Sequence, residues 1–405
     1  MKSFKTFLAE GATHSTHLED LILDLGVVGT KHAIDALVDF KTAFSSKSNT
    51  KNFNVSTKWD GAPAVVFGTD PVTKKFFVGS KNAFSKTNPK MSFTHKDIDE
   101  QYNAGPAGKL HEALDYLPKV TPKNRVFQGD FLYSKAELKS AVVNGEKVVI
   151  MHPNTIAYYV PAESDLGTEI SSAKMGIVVH TEYHGGPELY AMTASFGVDV
   201  AAFKNSKDVW LTGALFSDDS GKGNLTADET AALNSAISDA KSLLSSTATQ
   251  TFEALSSSKM NAMVHKFNNS IVKIGSAVEP KVQTDKFIEW IGMELDKNAA
   301  TLKSGAGKEK AEENKRNMMS MIDKSELTKV FALQQAIVRG KSIVIKKLND
   351  MQTISTLVQT KDGYKVTGHE GFVGLSGDIA GVKLVDRLVF SHLNFNADTI
   401  RGWQK

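Results

Sequence analysis

The chain has 405 residues, 41% of them hydrophobic, and its 48 basic and 45 acidic side chains leave a formal net charge of +3. This composition predicts a globular protein of two or three domains, and it restricts any surface for a polyanion to a local patch. Cysteine is absent and no apolar run is long enough to cross a bilayer, which excludes disulfides, thiolate zinc sites, cysteine nucleophiles and a membrane partner.

The first fifty residues are predicted to be helical. The stretch LEDLILDLGVVGTKHAIDALVDFKTAF spaces its apolar side chains at helical intervals, and it is interrupted near Gly26 and Gly29. We therefore expect an N-terminal helical segment over residues 1–50.

Residues 51–224 change to short β-rich runs that are separated by turn residues. These runs are VSTKWDGAPAVVFG, KFFVGS, RVFQGDFLYS, KVVIMHP, TIAYYVP and MGIVVHTEY, with one helical run, GKLHEALDYLP, among them. Strand-like runs return after residue 351, in YKVTGHEGFVGLS and GVKLVDRLVF. The pattern favours one mixed, mostly antiparallel α+β domain that combines residues 51–224 with residues 351–405.

Residues 225–350 are predicted to form a helical module inserted into that domain. The run TADETAALNSAISDAKSLL has helical spacing, and Thr226 followed three residues later by Glu229 predicts a capping box at its start. The charged stretch SGAGKEKAEENKRN is predicted to be a loop that leads into a long helix. The fold class predicted from the sequence is therefore α+β with a helical insertion.

The run STKWDGAPAVVFG places charged residues at the end of an apolar strand. An unpaired buried charge is costly, so Lys58 either lies exposed at an ordinary strand end or is positioned to react. A lysine amine is nucleophilic only when it is neutral, which neighbouring cations, a bound metal or desolvation promote. Asp60 lies two residues further and shares the lysine's face of the strand. Gly61 permits a tight turn or the close approach of a nucleotide.

The KWDG stretch resembles motif I of the covalent nucleotidyltransferases, the superfamily of ATP-dependent DNA ligases, RNA ligases and mRNA capping enzymes. In that superfamily the motif lysine attacks the α-phosphate and forms a lysyl–nucleotide phosphoamide. The resemblance implies that Lys58 is the nucleophile, with Asp60 as a further catalytic residue and Gly61 in the nucleotide-binding turn. It also implies an ATP-grasp-like ligase core in which two antiparallel sheets face a nucleotide cleft.

Two further segments resemble the superfamily's metal-binding motifs. VFQGDFLYS is similar to motif III, in which an acidic residue contacts the ribose or a metal, and GHEGFVG is similar to motif IV, in which a glutamate helps to hold the metal. The resemblance assigns these roles to Asp130 and Glu370. Carboxylates suit Mg²⁺ or Mn²⁺, because both ions prefer oxygen ligands.

The nucleotide contacts follow from the same resemblance. FFVGSKNAF implies Lys81 as a basic contact, and GVKLVDR is similar to motif V, which implies Lys383 as a catalytic contact to the phosphates. Many members have a second motif V lysine where Val385 stands here, and Arg387 is the candidate to replace it. Fixed cations of this kind stabilise the charge that develops during phosphoryl transfer. Phe372, or a valine of GIVVH, is the candidate surface for the adenine.

The function that the resemblance implies is ATP-dependent adenylyl transfer, most like that of an RNA ligase that joins nucleic-acid ends, with ATP and Mg²⁺ or Mn²⁺ as cofactors. DNA ligases and capping enzymes have an oligonucleotide-binding domain after motif V, and the short sequence after Lys383 favours RNA over DNA as the partner. The inserted helices would then hold the phosphate backbone through basic stretches at residues 303–315 and 339–347. The alternatives are an adenylyltransferase acting on a protein or small molecule, and a non-catalytic phage virion or internal head protein that retains the ligase fold.

Two other stretches have both a functional and an ordinary interpretation. MKSFKTFLAE resembles the capsid-targeting peptides of large tailed phages, which are cut after a glutamate such as the one in Leu8-Ala9-Glu10; the alternative is a plain helical N-terminus. The resemblance implies a phage-encoded protein in the host cytoplasm that is packaged inside the capsid.

His180, Glu182 and His184 alternate in HTEYHG and would share one strand face, as a metal site or as a polar wall of the cleft. The stretch HEALD lacks the second histidine of the H-E-x-x-H zinc motif.

Overall fold

The computed structural model describes residues 16–45, 51–218, 223–374, 381–391, 393 and 398–403. Within these ranges the chain is a mixed α+β protein with several β-sheets, as the sequence predicts. The predicted N-terminal targeting peptide at residues 1–10 lies outside them. Among the helices that are described, none combines the length and the apolar character needed to span a membrane.

The described residues group into two compact units. The helical unit contains residues 16–45, 51–53, 218, 223–351, 372–374, 381–391 and 393. The sheet unit contains residues 54–217, 352–371 and 398–403.

The helices begin and end as follows in the described chain. In chain order they are α1 (Leu21–Ser45), α2 (His95–Gln101), α3 (Ala104–Tyr116), α4 (Asp165–Ser172), α5 (Ala227–Ser246), α6 (Thr249–Ser256), α7 (Ser258–Ile274), α8 (Pro280–Ala300), α9 (Gly305–Ser320) and α10 (Lys324–Asp350).

Local signals in the sequence account for several helix boundaries in the helical unit. Helix α1 is interrupted at Gly26, whose φ of 60° and ψ of −130° leave the helical region, where an interruption is predicted. The predicted capping box at the start of α5 is confirmed, because the Thr226 hydroxyl accepts the Glu229 N–H at 3.2 Å and the Glu229 carboxylate accepts the Thr226 N–H at 2.9 Å. The loop predicted for SGAGKEKAEENKRN is wrong, since α9 begins at Gly305. The Ser304 side chain caps this helix, and the lysines and glutamates that follow are good helix formers.

The strands lie in both units. In chain order they are β1 (Thr16–His17), β2 (Lys51–Lys58), β3 (Ala64–Thr69), β4 (Phe76–Gly79), β5 (Val126–Ser134), β6 (Lys139–Val143), β7 (Glu146–Met151), β8 (Ile156–Pro161), β9 (Met175–His184), β10 (Thr193–Phe196), β11 (Val209–Gly213), β12 (Leu215–Asp218), β13 (Ser355–Thr360), β14 (Gly363–Thr367), β15 (Gly371–Gly374), β16 (Val382–Leu384) and β17 (Thr399–Ile400).

The sheet unit is built on two six-stranded sheets. One has the order β10-β9-β5-β3-β4, with β11 added in parallel to β9. The other has the order β14-β13-β8-β7-β6, with β17 paired to β13. Apart from β11, the neighbours in these two sheets are antiparallel. In the helical unit, β16 pairs in parallel with β1 and antiparallel with β15.

One face of the first sheet is covered by α3. The buried residues Ala107, Leu110 and Ala113 of this helix belong to the same apolar core as Phe127 and Phe131 of β5. Because alternate side chains of a strand point to opposite faces, the core side chains of β5 leave residues such as Asp130 for the other face. The rigid central strand thus presents a carboxylate on the side away from α3.

Candidate functional site

The predicted nucleophile ends an apolar strand and is paired with a predicted metal ligand. Strand β2 ends at Lys58, and the Lys58 Nζ forms an ion pair with Oε1 of Glu370. The Lys58 side chain is 32% exposed and that of Glu370 is 12% exposed. A small molecule can therefore reach Lys58, while its partner is largely withdrawn from water.

An aromatic cluster lies directly after this lysine. Trp59 is buried, and its ring centroid lies 4.7 Å from that of Tyr158 and 6.2 Å from that of His369. The Tyr158 hydroxyl accepts the Asp60 backbone N–H at 2.6 Å. Burial raises the pKa of Tyr158 well above its usual range, which keeps the hydroxyl neutral. These rings fix the backbone on which Lys58 is mounted.

Asp60 anchors the turn to the start of β8. Its carboxylate accepts the Asn154 side-chain amide at 2.9 Å and the Ile156 N–H at 2.8 Å. Burial raises the pKa of Asp60, and the Ile156 N–H and the Lys58 charge act in the opposite direction. Its hydrogen bonds thus direct Asp60 towards the protein, so the structure favours a positioning role.

Gly61 brings the turn against the predicted motif III strand. A Cβ added to Gly61 would lie 2.5 Å from the Cβ of Asp130, so the approach requires a residue without a side chain. Strands β3 and β5 pair next to this point, with Ala64 opposite Asp130. The sequence-distant residues Lys58 and Asp130 are held near each other by this contact and by the sheet.

Several carboxylates act on the Lys58–Glu370 pair. Burial, opposed by the Lys58 charge and reinforced by the Asp60 and Asp130 carboxylates, raises the pKa of Glu370 to about 7. Near neutral pH, Glu370 therefore exchanges a proton readily. Such perturbed groups are common at functional sites, though structural ion pairs also produce them.

The donor set fits a hard divalent cation. Mg²⁺ binds carboxylate oxygens, retains several waters and takes further ligands from substrate phosphates, so it does not need a closed protein cage. Asp130 and Glu370 offer oxygens of this type, and the Asp130 carboxylate is close enough to act on the pKa of Glu370. Within the described ranges, no group of three or more histidine, aspartate or glutamate side chains is arranged to hold a metal ion.

The alternating histidines of β9 lie near carboxylates along the same sheet. His180 Nε2 lies 3.6 Å from Asp130 Oδ1, and His184 Nε2 lies 3.7 Å from Glu182 Oε2. The Glu182 carboxylate accepts hydrogen bonds from Nε and from a terminal nitrogen of Arg125. Since Glu182 is engaged by a guanidinium, the H-x-E-x-H stretch behaves here as a polar sheet face.

The remaining predicted residues lie apart from this turn in the sequence and have other surroundings. Lys81 is exposed at the start of the short helical turn Lys81–Phe84. Phe372 and Lys383 belong to the helical unit, where Phe372 is completely buried and Lys383 is half-buried on β16. Arg387, in the same unit, donates to Asp20 at 3.2 Å and to Asn269 at 2.5 Å. Their assigned contacts to the nucleotide stay predictions.

Sequence reasoning missed the residues that support the turn. Tyr158 lies in the apolar run TIAYYVP, where it resembles any core tyrosine, and Asn154 precedes that run by one residue. His369 is adjacent to Glu370 and is buried, with its Nε2 at 2.9 Å from the Ile354 carbonyl. The position of His369 next to Glu370 could have indicated that it belongs to the site. No sequence signal distinguishes Tyr158 from other core tyrosines.

The predicted basic surface at residues 339–347 is wrong. Lys341 is 1% exposed and pairs with Glu19 at 2.6 Å, and Lys347 is buried against Glu229 at 3.2 Å. The reason is helical spacing, since these lysines point into the unit while Lys346 points outward. Exposed cations remain on α9 and just before it, at Lys303, Lys308, Lys310 and Arg316.

Comparisons with known proteins give one match. A family model described as a family of unknown function, DUF6267, matches residues 12–399. No curated protein matches the chain. No solved structure matches it either.

Proposed function

We propose that this chain, which belongs to the DUF6267 family of unknown function, is an ATP-dependent nucleotidyltransferase with an RNA ligase-like activity. It would form a lysyl-AMP intermediate on Lys58 and transfer the adenylyl group to a nucleic-acid end. The observation that carries the proposal is the Lys58–Glu370 ion pair, which lies at an accessible strand end within the electrostatic influence of Asp60 and Asp130. The proposal also includes the fold: we propose that the mixed α+β domain has an ATP-grasp-like ligase core.

In the first step Glu370 would prepare the nucleophile. The Lys58 ammonium gives one proton to the Glu370 carboxylate, to which it is directly hydrogen-bonded, and becomes a neutral amine. A pKa near 7 allows Glu370 to accept that proton at neutral pH. The amine then attacks the α-phosphorus of ATP, forming the N–P bond as the bond to the pyrophosphate oxygen breaks. The second amine proton leaves to solvent, which gives the neutral phosphoamide N–H.

The surrounding residues would position this chemistry. Asp60 and the Trp59–Tyr158 contact hold the turn, so that Nζ keeps one direction relative to the sheet. Asp130, together with Glu370 while Glu370 is ionised, would hold Mg²⁺ or Mn²⁺, which, when bound, would neutralise charge on the transferring phosphate. Lys81, exposed beside β4, is available for a phosphate contact.

The proposal is tested by self-labelling. Purified protein is incubated with α-labelled ATP and Mg²⁺ or Mn²⁺, and intact mass is measured before and after acid. We expect an adduct of one AMP that is acid-labile, stable in base and absent from Lys58→Ala and Lys58→Arg. The matched control is Lys96→Ala, because Lys96 is an exposed lysine that also pairs with a glutamate, Glu100 at 3.7 Å. No adduct in the wild type under varied metals and nucleotides would refute the proposal.

The acceptor is tested separately with the adenylylated protein. RNA with a 5′-phosphate, nicked DNA and a protein mixture are offered in parallel, and release of AMP from the chain is followed. Joining of RNA ends is the expected result. Transfer to protein alone would replace the ligase assignment with a protein adenylyltransferase, while leaving the Lys58 step intact.

A non-catalytic protein that retains the fold is the second candidate. Two observations favour it: Phe372, the predicted adenine contact, is completely buried, and Arg387 is already bound to Asp20 and Asn269. ATP binding without any covalent adduct, and unchanged by Lys58→Ala, would support this candidate.

A further inference from the structure

Two neighbouring helices of the sheet unit carry the same short pattern. Helix α2 begins with HKDID, and α3 contains HEALD, so each has a histidine followed four residues later by an aspartate. Residues four apart share one face of a helix. Each histidine binds the aspartate of the other helix, with His111 Nε2 at 3.0 Å from Asp99 Oδ1 and His95 Nε2 at 3.1 Å from Asp115 Oδ1.

These contacts determine which ring nitrogens carry hydrogen. An ionised carboxylate only accepts hydrogen bonds, so both Nε2 atoms must donate. A neutral imidazole with a hydrogen on Nε2 has a bare lone pair on Nδ1. The two Nδ1 atoms, of His95 and His111, face each other at 2.8 Å. Two lone pairs at that distance repel, so the arrangement calls for a positively charged species between them.

We propose that His95 and His111 form a binding site for a divalent transition-metal ion of the Zn²⁺, Ni²⁺ or Cu²⁺ class. Imidazole nitrogen suits these ions, and a metal-bound histidine usually donates its other N–H to a carboxylate, as both rings do here. Tetrahedral zinc with bonds of about 2.0–2.1 Å needs the two nitrogens about 3.3 Å apart. The rings must open by roughly half an ångström, and their side chains are 54% and 29% exposed, so they have room to do so. Water would supply the other ligands.

The two helices hold the histidines on fixed supports. Helix α2 begins with a capping box between Thr94 and Asp97, and Ile98 is completely buried. Helix α3 buries Leu110, the residue before His111, in the apolar core. A bound ion would therefore cross-link α2 and α3, and it requires neither ATP nor the Lys58 chemistry.

The test is isothermal titration calorimetry, in which the full chain is titrated with ZnCl₂ or NiCl₂ alone and the heat of binding is measured. We expect one ion per chain. His95→Ala and His111→Ala should each weaken binding at least tenfold, and Asp99→Asn or Asp115→Asn should weaken it by about 10- to 100-fold, because the aspartates orient the rings. The matched control is His184→Ala, an exposed histidine beside Glu182, which should leave the affinity unchanged. Mg²⁺ should not compete, since it prefers oxygen ligands.

Two results would overturn the site. One is a wild type that binds no Zn²⁺ or Ni²⁺ at 100-fold molar excess, in which case the pair shares a proton instead. The other is unchanged stoichiometry and affinity in the His95→Ala/His111→Ala double variant, which would place the ion elsewhere. Circular dichroism of each variant shows whether it is folded. The aspartate variants keep both rings and so test the site even if a histidine variant unfolds.

Discussion

The two units each contain a lysine–glutamate pair, and the pairs differ in the exposure of the lysine and in the direction in which the pKa of the glutamate is shifted. In the sheet unit, Lys58 is 32% exposed and burial raises the pKa of Glu370 to about 7. In the helical unit, Lys341 is 1% exposed, and although burial acts to raise the pKa of Glu19, the charge of Lys341 together with that of Arg387 lowers it. Glu19 is thus held ionised, whereas Glu370 is poised between its two forms.

The difference separates a structural pair from one that is suited to chemistry. Lys341 is enclosed with its partner, and Arg387 lies 3.8 Å from the other oxygen of Glu19, so the charges compensate each other without water. Lys58 pairs with Glu370 and keeps a third of its side chain exposed to solvent. Buried pairs are costly to break, whereas partly exposed pairs contribute little to stability. The following predictions, in order of decreasing effect on stability, test that distinction.

Removing the buried lysine should give the largest loss. We expect Lys341→Ala to lower the free energy of unfolding by about 3–5 kcal/mol, because Glu19 is left buried without its nearest cation. Denaturant unfolding measures the loss, and the matched control is Lys346→Ala on the exposed face of the same helix, which should stay within about 0.5 kcal/mol. A Lys341→Ala protein as stable as this control would show that the enclosed pair is not structural.

Replacing Glu370 should stabilise the protein, and only at high pH. The folded-state pKa of about 7 exceeds the ordinary value of 4.5, so the folded chain binds more protons than the unfolded chain between these pH values. This contribution to stability is present below pH 4.5 and is lost as the pH rises through 7. Glu370→Gln cannot ionise, and we expect it to be more stable than wild type by about 3 kcal/mol at pH 8 and nearly equal to it at pH 4.5.

The control for this pH dependence is Glu100→Gln, an exposed glutamate that pairs with Lys96. Its effect should stay within about 0.5 kcal/mol at every pH. A Glu370→Gln effect that does not change with pH would mean that folding leaves the pKa of Glu370 at its ordinary value, and would remove it as the proton acceptor.

Asp60→Ala should give an intermediate loss, of about 1–3 kcal/mol, because it leaves the buried Ile156 N–H without its carboxylate acceptor. Asp60→Asn retains an acceptor oxygen and should lose less. Thermal or denaturant unfolding distinguishes the two. Equal stability of both variants and wild type would show that this carboxylate does not hold the KWDG turn, and would return Asp60 to a direct catalytic role.

Much of the fold could be predicted because local signals decide it. The predicted β-rich runs between residues 54 and 183 each contain a strand, the capping box at Thr226 marks the start of a helix, and Gly26 marks the interruption inside α1. Only the resemblance to a family predicts the proximity of Lys58, Asp130 and Glu370, since nothing in their spacing brings together residues that are 72 to 312 positions apart.

The errors come from long-range packing that a local pattern does not contain. The basic stretch around Lys341 predicts a surface charge, yet Lys341 shares a helix face with Val344, Ile345 and Leu348, which are buried. Its partner Glu19 lies 322 residues away in the sequence. Helical spacing could have indicated that Lys341 is buried, but only the tertiary fold identifies the acid that makes burial possible.

Removing Lys58 should have the smallest effect on stability, and this result tests the comparison most directly. In Lys58→Ala, Glu370 loses the charge that lowers its pKa and is free to take a proton, so no buried charge is left uncompensated. We expect the free energy of unfolding at pH 7 to change by less than about 1 kcal/mol, as for other partly exposed pairs. The fall in stability with rising pH should extend to a higher pH, because the folded-state pKa of Glu370 is then higher. If Lys58→Ala instead loses as much as Lys341→Ala, the two pairs are both structural. The accessibility of Lys58 would then no longer support a catalytic role, because its pairing with Glu370 would be explained by its contribution to folding.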